Sequence, residues 1–90
     1  MPTVSFTQNL KRFFPGLATG DFHSSSVDGL IKELDHTYPG IKDYIINEDG
    51  SLRKHVNIFI GNELIQDRRA LTDKISTEDK VYIMQALSGG

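Results

Sequence analysis

Ninety residues carrying 10 basic and 12 acidic side chains, a formal charge of −2, 38% hydrophobic residues and no cysteine suffice for one modest core, since a chain this size buries about 60–70% of its unfolded surface. The missing cysteine excludes a disulfide framework, a thiolate metal site and a thiol nucleophile, while acids and bases interspersed along the chain argue against a nucleic-acid face or a membrane-seeking helix. His23, His36 and His55 stand without the partner spacing of a metal-binding helix and read as ordinary surface or packing histidines.

The opening residues Met1-Pro2-Thr3-Val4-Ser5 lack the charged start and apolar run of a signal peptide. No apolar run nears the eighteen or so residues that span a bilayer, so a soluble, cytoplasmic protein is expected. From Thr3 to Leu10, Val4 and Phe6 alternate against Thr3, Ser5 and Thr7, the period-two signature of a strand with one buried face. Pro15-Gly16 marks a turn, and Asp21-Phe22-His23-Ser24 is the candidate returning strand. Ser25-Ser26-Val27-Asp28 reads as a variant capping box, with Ser25 as the cap and Asp28 at the positive helix end. Val27, Leu30, Ile31, Leu34 and Tyr38 then form one apolar stripe, which Pro39-Gly40 ends. Gly29 within that helix costs about 1 kcal/mol relative to alanine and points to close approach of another backbone.

Ile41 to Ile46 fits a short helical turn better than a strand, and Asn47 to Ser51 an exposed loop. Val56, Ile58 and Ile60 then alternate with Asn57 and Phe59, and Gly61-Asn62 supplies positive-φ residues for a tight hairpin into Glu63-Leu64-Ile65. After a polar stretch, Thr77 to Lys80 turns into a last strand, Val81 to Met84. The order strand, strand, helix, strand, strand, strand predicts an α+β fold: a ubiquitin-like β-grasp with a mixed four- or five-stranded sheet, one main helix on one face, and the first and last strands parallel at its centre. The expected organisation is a β-grasp domain over residues 1–84 and a flexible diglycine tail over 85–90.

Two stretches carry a family resemblance. Arg53-Lys54-His55-Val56-Asn57-Ile58-Phe59-Ile60-Gly61-Asn62 is similar to the V-N-I-x-V-N hairpin of the ubiquitin-like sulfur carriers of the ThiS/MoaD family. Asp79-Lys80-Val81-Tyr82-Ile83, followed by Gly89-Gly90, resembles that family's D-x-V-x-I…G-G ending. The likeness runs over nearly the whole chain, nearest to the longer MoaD-like, CysO-type branch that serves cysteine synthesis. Gly61-Asn62 stands where members more often carry Asn followed by Gly or an acid, and Met84-Gln85 replaces a proline common after the last strand.

A carboxylate becomes an acyl donor only after conversion to an anhydride, and this chain has no phosphate-binding loop with which to do so. The resemblance implies that a MoeB/ThiF-type activating enzyme adenylates the Gly90 carboxylate, with ATP and magnesium held on that partner and no cofactor or metal bound here. Sulfur then displaces AMP and leaves a thiocarboxylate on Gly90, to be passed to a cysteine synthase, a molybdopterin synthase large subunit or a thiazole synthase. Ser88 and Gly89 would let the tail thread a narrow channel, because glycine carries no side chain to obstruct it. The chain is thus expected to be a protein co-substrate rather than an enzyme, or the small subunit of a synthase.

Ordering the tail from Gln85 to Gly90 costs on the order of 6–12 kcal/mol, so the body should carry a docking surface. Phe59, Tyr82 and Met84 fall out of phase with the buried positions and, with Leu87, are the candidate partner-binding residues. They form either an apolar patch on the open sheet face or the half-buried second face of central strands. The basic runs Lys11-Arg12, Arg53-Lys54-His55 and Arg68-Arg69 read as solvated surface, Glu78-Asp79 as turn chemistry, and Asp28 and Asp73 show no acid–base pairing. Two other functions fit the same chain: a protein modifier joined through Gly90 to lysines, and a non-covalent β-grasp module whose diglycine is incidental.

Overall fold

Val4 and Phe6 turn into the core from the first strand, β1 (Thr3–Phe6), while Thr3 and Ser5 stay half-buried. In the computed structural model, which describes residues 1–85, the alternation expected to run to Leu10 stops at Phe6. Thr7 adopts φ −73°, ψ 159° and opens a six-residue helix, α1 (Gln8–Phe13). Leu10 is buried from that helix rather than from a strand. Fewer than two helical turns with one apolar anchor leave no periodicity for sequence to reveal.

The returning strand β2 (Gly20–Asp21) is shorter and earlier than expected, pairing antiparallel through Thr3 with Asp21 and Val4 with Gly20. Phe22 lies beyond it, buried, with its N–H donating to the Pro2 carbonyl.

The main helix, α2 (Val27–Thr37), buries Val27, Leu30, Ile31 and Leu34, and Tyr38 packs half-buried at its end. Its cap is Ser26, one residue later than expected: the hydroxyl accepts the Gly29 N–H at 3.1 Å. The next free amides are met from elsewhere in the chain, Val27 N–H by the Asp73 carbonyl and Asp28 N–H by the Leu71 carbonyl. A Cβ on Gly29 would lie 3.2 Å from Ser26 Oγ and 3.5 Å from Ser24 Cβ. What crowds Gly29 is therefore the serine side chains before the helix, not a neighbouring backbone.

A short helix, α3 (Lys42–Ile45), fills the expected turn. The hairpin follows as β3 (Val56–Ile60) and β4 (Glu63–Leu64). Only Gly61 in that turn takes a positive φ, +63°, while Asn62 does not. The final strand, β5 (Lys80–Gln85), is one residue longer at each end than expected. The five strands lie in the order β2-β1-β5-β3-β4. Val4 pairs in parallel with Val81 and Phe6 with Ile83, and Ile58 meets Ile83 from the antiparallel side. This is the mixed β-grasp sheet with the terminal strands paired near its centre. Among the described residues no polar or charged residue belongs to the buried core, and no helix is long and apolar enough to cross a membrane. Leu87, Ser88, Gly89 and Gly90, and with them the expected tail character, lie outside the described residues.

Candidate functional site

Strand register assembles the open face of the sheet. Residues opposite one another in a ladder point to the same side. Val56, Ile58, Val81 and Ile83 go to the helix side and are buried, so Phe59, Tyr82 and Met84 must go to the other. Phe59 stands opposite Tyr82, and Asn57 opposite Met84. On its far side Phe59 stands opposite Leu64 of β4. Leu64, Phe59 and Tyr82 thus form one row across three strands, continued onto β1 by Ser5, which is paired with Tyr82.

Tyr82 is 36% and Leu64 52% exposed, while Phe59 and Met84 are half-buried. The two readings open at the sequence level each describe part of this face: a half-buried centre, with apolar surface left bare along its row. Leu64 was not among the residues singled out from sequence. Its signal was present, because a two-residue Gly61-Asn62 turn dictates that Phe59 and Leu64 face each other.

Arg68 closes one end of the face. Its guanidinium donates to Asn57 Oδ1 at 3.1 Å, to the Arg53 carbonyl at 2.8 Å and to the Val56 carbonyl at 2.9 Å. The Arg68-Arg69 pair, read as solvated surface, therefore divides: Arg69 is exposed, whereas Arg68 is half-buried and fastens the start of β3. Arg53 is likewise engaged, its Nε donating to the Asp43 carbonyl at 2.8 Å.

The two carboxylates of the following loop are structural. Asp73 accepts the N–H groups of Gln66 at 2.9 Å and Asp67 at 2.8 Å. Asp67 accepts from the N–H groups of Arg69, Ala70 and Thr72 and from the Thr72 hydroxyl. The Ala70 N–H and the Thr72 hydroxyl are the largest influences holding its pKa down, from 3.8 to about 2. This scaffold keeps the buried Leu71 at φ +57° and aims its carbonyl at α2. Among the described residues no group of histidines and carboxylates could hold a metal ion.

A helix-backed mixed sheet with a bare apolar row on its other face defines a ubiquitin-like β-grasp protein. The chain belongs to the ThiS family, whose model matches residues 17–90. Among curated relatives, the sulfur carrier protein CysO of Mycobacterium tuberculosis is 27% identical over 90 residues, covering 98% of this chain and 97% of its own. The crystal structure of Mycobacterium tuberculosis CysO superposes with a TM-score of 0.82 at 25% identity, covering 97% of this chain and 100% of its own. A chain of the Amycolatopsis orientalis BexX/CysO complex gives 0.84 at 22% identity, with all of both chains covered. SAMP1 from Haloferax volcanii gives 0.77 at 18% identity over 99% of this chain and 98% of its own. The last two likenesses bear on fold alone.

Proposed function

We propose that the chain is a sulfur carrier that works through the carboxylate of Gly90. The observation that carries this reading is the family match, which runs through the hairpin and closing strand to the last glycine, together with full-length similarity to CysO. In the first step a Gly90 carboxylate oxygen attacks the α-phosphorus of ATP on a MoeB/ThiF-type enzyme, which holds the magnesium, and pyrophosphate leaves. In the second, a hydrosulfide ion attacks the acyl carbon and AMP departs with that oxygen, leaving a thiocarboxylate and releasing a proton. A chain without cysteine has no thiol on which to carry sulfur as a persulfide. The acceptor is a synthase of the kind that CysO-type carriers serve, with cysteine synthesis the first candidate. The chain is the co-substrate of both reactions and supplies no catalytic side chain.

Leu64, Phe59, Tyr82 and Met84 supply the docking contacts that offset the cost of ordering the tail. Leu87, Ser88 and Gly89 pass through the activating enzyme's channel. The test is to incubate the full chain with a MoeB/ThiF-type enzyme from the same organism, ATP, magnesium and sulfide, then weigh it intact. Replacement of one oxygen by sulfur is expected, and a chain ending at Gly89 should stay unloaded. An unchanged mass with an active enzyme overturns the reading. Conjugates on lysine side chains would identify a modifier instead.

A further inference from the structure

We infer that Thr7 and Asn9, at the start of α1, are positioning residues that fasten Gln85 and so fix the base from which the segment ending in Gly90 is presented. The inference rests on the Gly90 reading for its purpose and on hydrogen-bond geometry for its content.

Thr7 N–H donates to the Ile83 carbonyl at 3.2 Å. In an uninterrupted parallel ladder the next rung would run from Gln85 N–H to the Thr7 carbonyl. That carbonyl is already taken, because it accepts the Lys11 N–H at 3.3 Å as the first bond of α1. The Thr7 hydroxyl substitutes for it, accepting the Gln85 N–H at 3.2 Å. Asn9 Nδ2 reaches the Gln85 carbonyl at 3.5 Å.

A strand residue directs its N–H and C=O to the same side, so these groups of Gln85 face β1 and α1, and its pairing with Val56 adds no main-chain bond toward β3. Two side chains from one helical turn therefore hold the Gln85 rung of β5. The arrangement takes the hydroxyl from its ordinary work. A threonine at an N-cap normally accepts a first-turn amide of its own helix, yet Thr7 makes no such bond and α1 begins uncapped by a side chain. A short helix that gives up its cap to hold a rung of another element is the sort of local compromise that function imposes.

The consequence is a defined reach. Five residues from Ala86 to Gly90 span at most about 18 Å, and releasing Gln85 would add about 3.5 Å and another residue to be ordered on binding. A loosened Gln85 should weaken docking into the activating enzyme and leave the chemical step alone.

Amide exchange and loading kinetics on the full chain test this, using Thr7→Val, Thr7→Ser and Asn9→Ala. In the free protein, Thr7→Val should speed exchange of the Gln85 amide about tenfold, the size of one lost hydrogen bond. The Ile58 and Leu34 amides should be unmoved, and Thr7→Ser should behave as wild type. In adenylation by the MoeB/ThiF-type enzyme, Thr7→Val should raise the KM for the chain about three- to tenfold at unchanged kcat, about the same hydrogen-bond scale, with Asn9→Ala in the same direction. Unchanged Gln85 exchange overturns the clamp, as does acceleration of all core amides together. Faster Gln85 exchange with unaltered KM overturns its role in presentation. A wild-type chain that is never loaded overturns the carrier reading instead, a separate outcome from the exchange result.

Discussion

Tyr82 on β5 lies directly opposite Phe59 on β3, and Leu64 on β4 flanks Phe59 from its other side. Phe59 and Leu64 share one hairpin while Tyr82 comes from the last strand, and their adjacency is a product of register. With Tyr82 and Leu64 exposed and Phe59 half-buried between them, the row has a packed centre with accessible apolar flanks.

Tyr82→Asp and Leu64→Asp should each weaken binding to the activating enzyme at least about tenfold, since aromatic and apolar anchors near the centre of an interface carry most of its energy. Both should leave the thermal midpoint nearly unchanged. Ile58→Ala, on the same strand but facing α2 and fully buried, should instead lose about 2–5 kcal/mol of stability. Calorimetric titration and thermal melts separate the two effects, and equal binding by wild type and both aspartate variants would retire the row as a docking surface.

Ser26→Ala should destabilise the domain by about 1 kcal/mol, the usual value of an N-cap hydroxyl, because its Oγ is the acceptor for Gly29 N–H. Ser25→Ala should be close to neutral, since Ser25 is exposed and contributes its carbonyl, to Ile75 N–H, rather than its side chain. Urea unfolding of the two variants checks this, and a larger loss for Ser25→Ala would contradict the cap assignment.

Asp67 supplies a pH dependence with a definite sign. Its folded pKa is depressed from 3.8 to about 2 by hydrogen bonds, led by the Ala70 N–H and the Thr72 hydroxyl. A depressed carboxyl stabilises the fold above its unfolded pKa, and that contribution is lost as pH falls from 3.8 through about 2. The native carboxyl carbon resonance of Asp67 should therefore titrate with a midpoint near 2. Asp67→Asn should flatten the pH dependence of stability in that window. A midpoint near the ordinary aspartate value would show the loop to be held by other contacts.

Those serine and aspartate contacts mark where sequence and structure part. The stripe of Val27, Leu30, Ile31 and Leu34, the alternation of Val56, Ile58 and Ile60 and the parallel pairing of the terminal strands were all legible in the chain. Each is a periodicity repeated over several residues, or a topological rule with few alternatives. The helix α1 was not legible, because six residues around Leu10 repeat nothing. Nor was the loop from Gln66 to Ile75, where Asp67 and Asp73 look like any polar surface until their oxygens are seen gathering main-chain amides.

For the candidate site the division is similar. Phe59, Tyr82 and Met84 could be assigned to the open sheet face by phase alone. Leu64 joins them through the two-residue Gly61-Asn62 turn, which puts it across from Phe59, whereas the role of Thr7 depends on its hydroxyl meeting Gln85, 78 residues away. By itself the sequence determined which faces are apolar, where the main helix runs and to which family the chain belongs, since these depend on short-range repetition and local motifs. Which cap holds α2, which arginine is a strut and which threonine holds Gln85 of β5 were decided by tertiary structure. A hydrogen bond is set by the meeting of two distant atoms, and neither carries a mark of the other along the chain.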